Sequence, residues 1–369
     1  MVAFDGDLGA TAVAQDSSWF GRLRRALARD LPFYVVIGVY FAGAEVVSRA
    51  LGWRYLHPMV ASYLGVATSF TLAAVCVMAG AHFFHRSARD VAEPHLRALH
   101  VVRATLAPER FAGLVLFSAL AAFMGAFTSI KTMLPLVAPF WSDTELSNLD
   151  RLIFLGQDPW RLLQPFMGHH QVTRAFEFLY GPAWMLLMVG APFFVCVHLR
   201  NGALRRRFLA AYLLAWIVNG TILACLTMSA GPAFYGLVTG DLQRFGGLVS
   251  YLQFDKMNPL SAAWGQQLLW TNYLRHGSYF GAGISAFPSL HVTMAVLFAL
   301  AGWKLNRRLG QGLAVFAGAI LLGSIHLGWH YAVDGAFAVA SMCAMWRLTG
   351  LRPEAEAAAA ADAVEPGPA

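Results

Sequence analysis

Apolar runs of about 20 residues recur along this chain, and no other feature restricts its fold so tightly. A run of that length matches the hydrocarbon thickness of a bilayer. In lipid the backbone has to satisfy its own hydrogen bonds, so each run is read as a helix. Composition agrees: the 369 residues are 58% hydrophobic and only 13% charged, with mean hydropathy +0.54. Soluble domains do not show that balance. Eight spans are expected, near 32–51, 59–84, 111–137, 173–198, 207–229, 286–303, 310–327 and 330–348. The expected class is an all-α polytopic membrane bundle. One helix across 310–348 would be about 58 Å long against a hydrocarbon core of about 30 Å. It has to break, and the Gly-containing "HLGWH" is the place for the break.

The formal net charge is +7. Its carriers cluster between the apolar runs: Arg22, Arg24, Arg25 and Arg29; Arg86, Arg89, Arg97, Arg103 and Arg110; Arg205, Arg206 and Arg207; Lys304, Arg307 and Arg308; Arg347 and Arg352. With eight spans all of these fall on one side, which the positive-inside rule makes the cytoplasm, with both termini inside. The bacterial inner (plasma) membrane is the expected location. No compact basic domain is left over to bind nucleic acid. Cys76, Cys196, Cys225 and Cys343 sit far apart in apolar runs and form no CxxC pair. They read as packing thiols.

The opposite face carries two longer mixed segments, about 138–172 and 230–285, where stretches such as "LDRLIFLG" suggest helices lying along the interface. The chain is expected to divide into a cytoplasmic segment 1–31, an added N-terminal helix pair with a basic loop 32–110, a six-helix core 111–350 and a disordered tail 351–369.

Two stretches carry candidate chemistry. "GAGISAFPSLHV" (281–292) offers glycines, Ser285, Pro288, Ser289 and His291 at a loop-to-helix junction. A helix N-terminus presents free N–H groups and the positive end of the dipole, which suits an anion. "HYAVDG" supplies His330 and Asp334, expected at i and i+4 on one helix face. A carboxylate on one imidazole nitrogen fixes the tautomer and raises the basicity of the other, which makes a nucleophile or base. By the span order both stretches begin on the same face, so His291 and His330 can meet. The rival is a metal site of His326, His330 and Asp334 on one continuous helix. The length argument opposes it, and neither metal nor other cofactor is expected. The bland alternatives are an ordinary N-cap and a polar pair that satisfies itself at the interface.

"SAFPSLH", followed about forty residues later by "HYAVD", resembles the last two motifs of the type 2 phosphatidic acid phosphatase superfamily, in the form closest to its inositol phosphorylceramide synthase-like (inositolphosphotransferase) branch. "LDRLIFLGQDPW" (149–160) and "GPAFY" (231–235) also resemble features of that branch. The resemblance covers roughly 111–348 and assigns roles by motif position. His330 would be the nucleophile that forms a phosphohistidine, Asp334 its orienting partner, and His291 the acid that protonates the leaving oxygen. Ser289, with Ser285 and nearby backbone N–H groups, would hold the phosphate.

This sequence departs from the phosphatase pattern at two points. Ser324 stands where phosphatase members carry an Arg six residues before the nucleophile, and the usual first Lys-to-Arg-Pro motif is absent. A phosphate still needs positive charge. Lys131, in "FTSIKTMLP", is the leading substitute, with Arg275 and Lys256 as weaker candidates. The expected substrate is a lipid phosphate or phosphodiester, and the expected acceptor an alcohol or water. The loss of the Arg leans toward transfer of a phospho-headgroup to a lipid or polyol alcohol, because a diester has less charge to neutralise. Hydrolysis by a lipid phosphate phosphatase is the alternative. A transporter would place its ionisable groups near the bilayer midplane, not near one face.

Overall fold

The computed structural model describes residues 18–86 and 107–362, whose regular structure is all helical, without strands. The helices run in chain order as α1 (Trp19–Arg29), α2 (Leu31–Ala50), α3 (Leu56–Arg86), α4 (Pro108–Val137), α5 (Asp143–Ile153), α6 (Pro159–Met167), α7 (His170–Val197), α8 (Gly202–Leu226), α9 (Tyr235–Thr239), α10 (Gly246–Leu252), α11 (Ala262–Leu274), α12 (Leu290–Leu305), α13 (Arg307–His326) and α14 (Ala332–Asp362). Single π-helical turns interrupt α7 at Leu179–Ala183 and α8 at Val218–Leu223.

Among the described residues, six helices are long and apolar enough to cross a membrane: α2, α3, α4, α7, α8 and α13. The expected count of eight is not reached. The apolar helix α12 has 16 residues, about 24 Å at 1.5 Å per residue, which is short of the ~30 Å core. In α14, Asp334 and Arg347 interrupt the apolar stretch. The break between the last two helices lies where helix length required it. α13 ends at His326, α14 begins at Ala332, and Gly328 turns the chain at φ +71°. A residue past the helix end takes that left-handed conformation cheaply only without a Cβ. The last helix continues to Asp362, into the segment expected to be a tail. Arg89, Arg97 and Arg103 lie outside the described residues.

Helices α12, α13 and α14 pack on one another, α12 and α14 also pack on α8, and α4 collects α1, α2, α3 and α7 around it. One core joins the two groups, centred on residues such as Phe123, Leu209, Tyr212, Ala295 and Met342. The mixed segments fold as the short helices α5, α6 and α9–α11, all at the end of the bundle where α4 finishes and α12 and α14 start. The site assembles at that end. Arg110, Arg205, Arg307 and Arg308 lie at the other.

Candidate active site

His330 is not in a helix; it is held by the turn that breaks α13 from α14. Two backbone bonds set that turn: the N–H groups of Trp329 and His330 donate to the carbonyl of Ser324 at 2.9 and 3.1 Å. Ser324, at the position of the missing Arg, therefore shapes the His330 loop through its backbone, and its hydroxyl donates to Leu321 O at 2.7 Å. His330 and Asp334 do not share a helix face as expected, because α14 starts only at Ala332. They meet across the helix N-terminus instead, with His330 Nδ1 3.4 Å from Asp334 Oδ2. The backbone N–H of Tyr331 donates to that same carboxylate oxygen at 3.0 Å. Asp334 is fully buried, and neither His330 Nδ1 nor Asp334 Oδ1 has a hydrogen bond in this geometry. Catalytic pairs are often loose before the substrate arrives and tighten with charge. Burial first, and then the Lys131 charge, hold the His330 imidazole below its ordinary value; a backbone hydrogen bond to Ala286 opposes them.

His291 reaches the same place from the first turn of α12. Its ring is clamped between Tyr180 (centroids 4.2 Å apart, interplanar 14°) and Trp184 (4.0 Å), and the Trp184 indole N–H donates to His291 O at 3.2 Å. The π-helical turn "LYGPA" aims Tyr180 inward, and such bulges often mark functional positions. On its other side Tyr180 lies parallel to Trp329, beside His330. Ser289 is the N-cap of α12: its hydroxyl accepts from Val292 N at 3.4 Å, and its own N–H donates to Asp334 O at 3.4 Å. It thus ties the two motif helices together. Ser285 is half-buried in the loop ahead of them.

Lys131 joins the group from α4, close enough for its charge to act on both His291 and His330. The loop at Gly283 lies directly on it. A Cβ on Gly283 would stand 2.8 Å from Lys131 Cγ, and φ there is +107°. Only glycine allows that approach. Lys131 and His291 share the head of a cavity of about 510 Å³ that is otherwise lined almost wholly by apolar side chains. Arg275 is not brought to the site: it caps the C-terminus of α11 and is exposed, as is Lys256. His326 is turned to a different partner, its Nε2 2.9 Å from Thr173 Oγ1. Among the described residues, no three His, Cys, Asp or Glu side chains converge as metal ligands.

The scaffold under the site rests on buried acids that sequence reasoning did not single out. Asp150 accepts the N–H groups of Ala332 and Val333 at 2.8 and 2.9 Å, so a carboxylate from α5 caps the helix that carries Asp334. Asp143 accepts from Ala230 N (2.8 Å), Gly231 N (2.8 Å), Ser229 Oγ (3.1 Å) and Tyr331 Oη (2.8 Å). Burial pushes its carboxyl up against those bonds. The loop it gathers is "SAGPAF", whose Ala233 N–H donates to Gly328 O and whose Ser229 carbonyl accepts from Ala286 N. Asp158 receives Arg151 (2.8 Å) and the buried Arg244 (3.1 Å), and Arg244 also donates to Asn148 and Ser147 O. "LDRLIFLGQDPW" and "GPAFY" are therefore the struts of the His330 loop. Their signal was an acid repeated at intervals in otherwise apolar short helices.

A family model described as "PAP2 superfamily" matches residues 144–348. The match contains His291, His330, Asp334 and the struts at Asp150 and Asp158, and leaves out Lys131 and α1–α4. No curated protein and no solved structure matches the chain.

Proposed function

Since the chain belongs to the PAP2 superfamily, whose members are phosphoesterases or phosphotransferases, we propose that it is a membrane lipid phosphotransferase like the inositol phosphorylceramide synthases, moving a phospho-headgroup to a lipid or polyol alcohol. One observation carries this reading. Lys131 and His291 line the head of a long apolar cavity, and the Lys131 charge also acts on the His330–Asp334 pair beside it. Charge chemistry at one end and hydrocarbon along the rest suit a phosphorylated lipid.

In the proposed reaction the Nε2 lone pair of His330 attacks phosphorus. A P–N bond forms as the P–O bond to the leaving group breaks, and His291 gives the leaving oxygen its proton. Asp334, 3.4 Å from Nδ1, steadies the imidazolium that results. Lys131 offsets the charge that builds on the phosphoryl oxygens. His291 then takes the proton of the incoming alcohol as its oxygen attacks phosphorus and the P–N bond breaks. Water in place of the alcohol gives the second reading, a lipid phosphate phosphatase. The arginine-rich end of the bundle is proposed as cytoplasmic, which puts the site at the outer leaflet.

The test is a thin-layer assay of the purified protein with labelled lipid phosphates and phosphodiesters, with and without alcohol acceptors. Transfer of label to the acceptor is expected. Release of free phosphate alone would make the protein a phosphatase. His330→Ala should lose turnover entirely while eluting as a folded protein; near-normal turnover would remove His330 from the reaction.

A further inference from the structure

The cavity under Lys131 reaches well beyond what a phosphate needs. On α4 its lining runs from Lys131 down to Phe117, about 21 Å along the axis at 1.5 Å per residue. With that length and a volume of about 510 Å³, the cavity suits an extended hydrocarbon chain. Its walls are α3 and α7, which both pack on α4. Val66 on α3 and Met185 on α7 line the cavity while more than a third exposed. The cleft therefore opens sideways between these two helices, where a chain enters from the bilayer. The roof is Tyr63, stacked on Phe280 at 4.3 Å, with its hydroxyl 2.7 Å from Thr128 Oγ1 and accepting from Gly281 N.

The far end is closed by three rings. Phe117 lines the cavity, and Phe193 of α7 meets it edge-on at 5.3 Å. Phe70 of α3 stands 5.3 Å from Phe193 and 6.4 Å from Phe117. Here the two walls that stand apart above come together. Two of these rings and the α3 wall lie outside the matched residues 144–348.

We propose that this cleft receives one extended hydrocarbon chain of the phosphate-bearing substrate, and that the Phe70–Phe117–Phe193 floor sets the longest chain the enzyme uses well. The proposal rests on the reading of the protein as a lipid phosphotransferase or phosphatase, and the test separates the two. A series of linear alkyl phosphates, from octyl to eicosyl, is assayed with the full-length protein in detergent for turnover and for displacement of a fluorescent fatty-chain probe. Each added methylene should improve kcat/KM and binding about fourfold until the chain reaches the floor, where the gain stops. Phe117→Leu and Phe117→Ala should move that stop to longer chains, and Met124→Trp, which fills the cleft partway down, to shorter ones. A stop that stays put in the folded variants, or a smooth rise through eicosyl, overturns the floor. Turnover with no stop leaves the enzymatic reading standing without it. A stop seen in binding with no turnover of any ester or diester leaves the floor standing and removes the activity.

Discussion

In the proposed reaction Lys131 supplies the positive charge that the phosphatase pattern draws from an arginine six residues before the histidine, where this chain has Ser324. Lys131 comes from a different helix, and Gly283 holds it against the site. Lys131→Met should lower kcat/KM by roughly 10²–10³-fold, as the loss of one charged transition-state contact does. It should also leave a mark on the pH profile. Because the Lys131 charge helps hold His330 below its ordinary value, its removal lets that value rise, so the acid limb of kcat/KM moves to higher pH. An unchanged rate and profile would make Lys131 a residue that merely reaches toward the membrane surface. At this scale much was legible beforehand. Ionisable groups are conspicuous in apolar sequence, and His291, His330, Asp334 and Lys131 stand out for that reason. Tyr180 and Trp184 do not, because aromatic residues are ordinary in such helices and only a π-helical turn reveals which way they face. Arg275, an exposed helix cap, is not gathered with those ionisable groups, because sequence shows which face of the membrane a residue is near, not how far along that face it lies.

Helix α5 fastens α14 through Asp150, and that contact has a pH signature. Burial raises the Asp150 carboxyl from 3.8 to about 6, against the pull of the two N–H groups it caps. A raised value means that the folded state holds the proton more tightly than the unfolded one. Its contribution to stability is complete below about pH 4 and is lost as pH climbs through about 6. Melting temperature in detergent should fall across that window by the equivalent of about 3 kcal/mol. Asp150→Asn should remove this component of the slope, and a variant with the same slope would put its origin elsewhere. The helices that carry the fold were visible as apolar runs, and the break at 326–332 followed from length alone. The capping carboxylates were hidden, since an acid in a short amphipathic helix looks like a solvated one until its partner, 182 residues away in sequence, is known. Length and hydropathy mark six candidate spans and do not confirm eight, because α12 has only 16 residues and Asp334 and Arg347 lower the hydropathy of α14.

Over the whole molecule, the added N-terminal helices are bound to the matched region by a buried ion pair. Arg205 at the start of α8 clasps Asp30, between α1 and α2, with Nη2 to Oδ2 at 2.8 Å and both side chains nearly inaccessible. Asp30→Ala would strand the guanidinium without a counter-charge, at a cost of about 3–5 kcal/mol. The loss should appear as a lower melting temperature in detergent, and Asp30→Ala combined with Arg205→Leu should recover most of it. A single variant as stable as the parent would show that the clasp adds nothing. The division of labour across the chain has one more consequence. The groups proposed to act on phosphorus belong to residues 144–348 apart from Lys131, while part of the wall around the apolar cavity belongs to α3 and α4. On that proposal, changes in the α3 wall can alter which lipids fit while the groups at phosphorus, Lys131 of α4 among them, stay in place. Such a chain can diversify its diet while its chemistry is inherited intact, and exchanging α3 between relatives, with Lys131 left in place on α4, is a direct route to exchanging one preference for another.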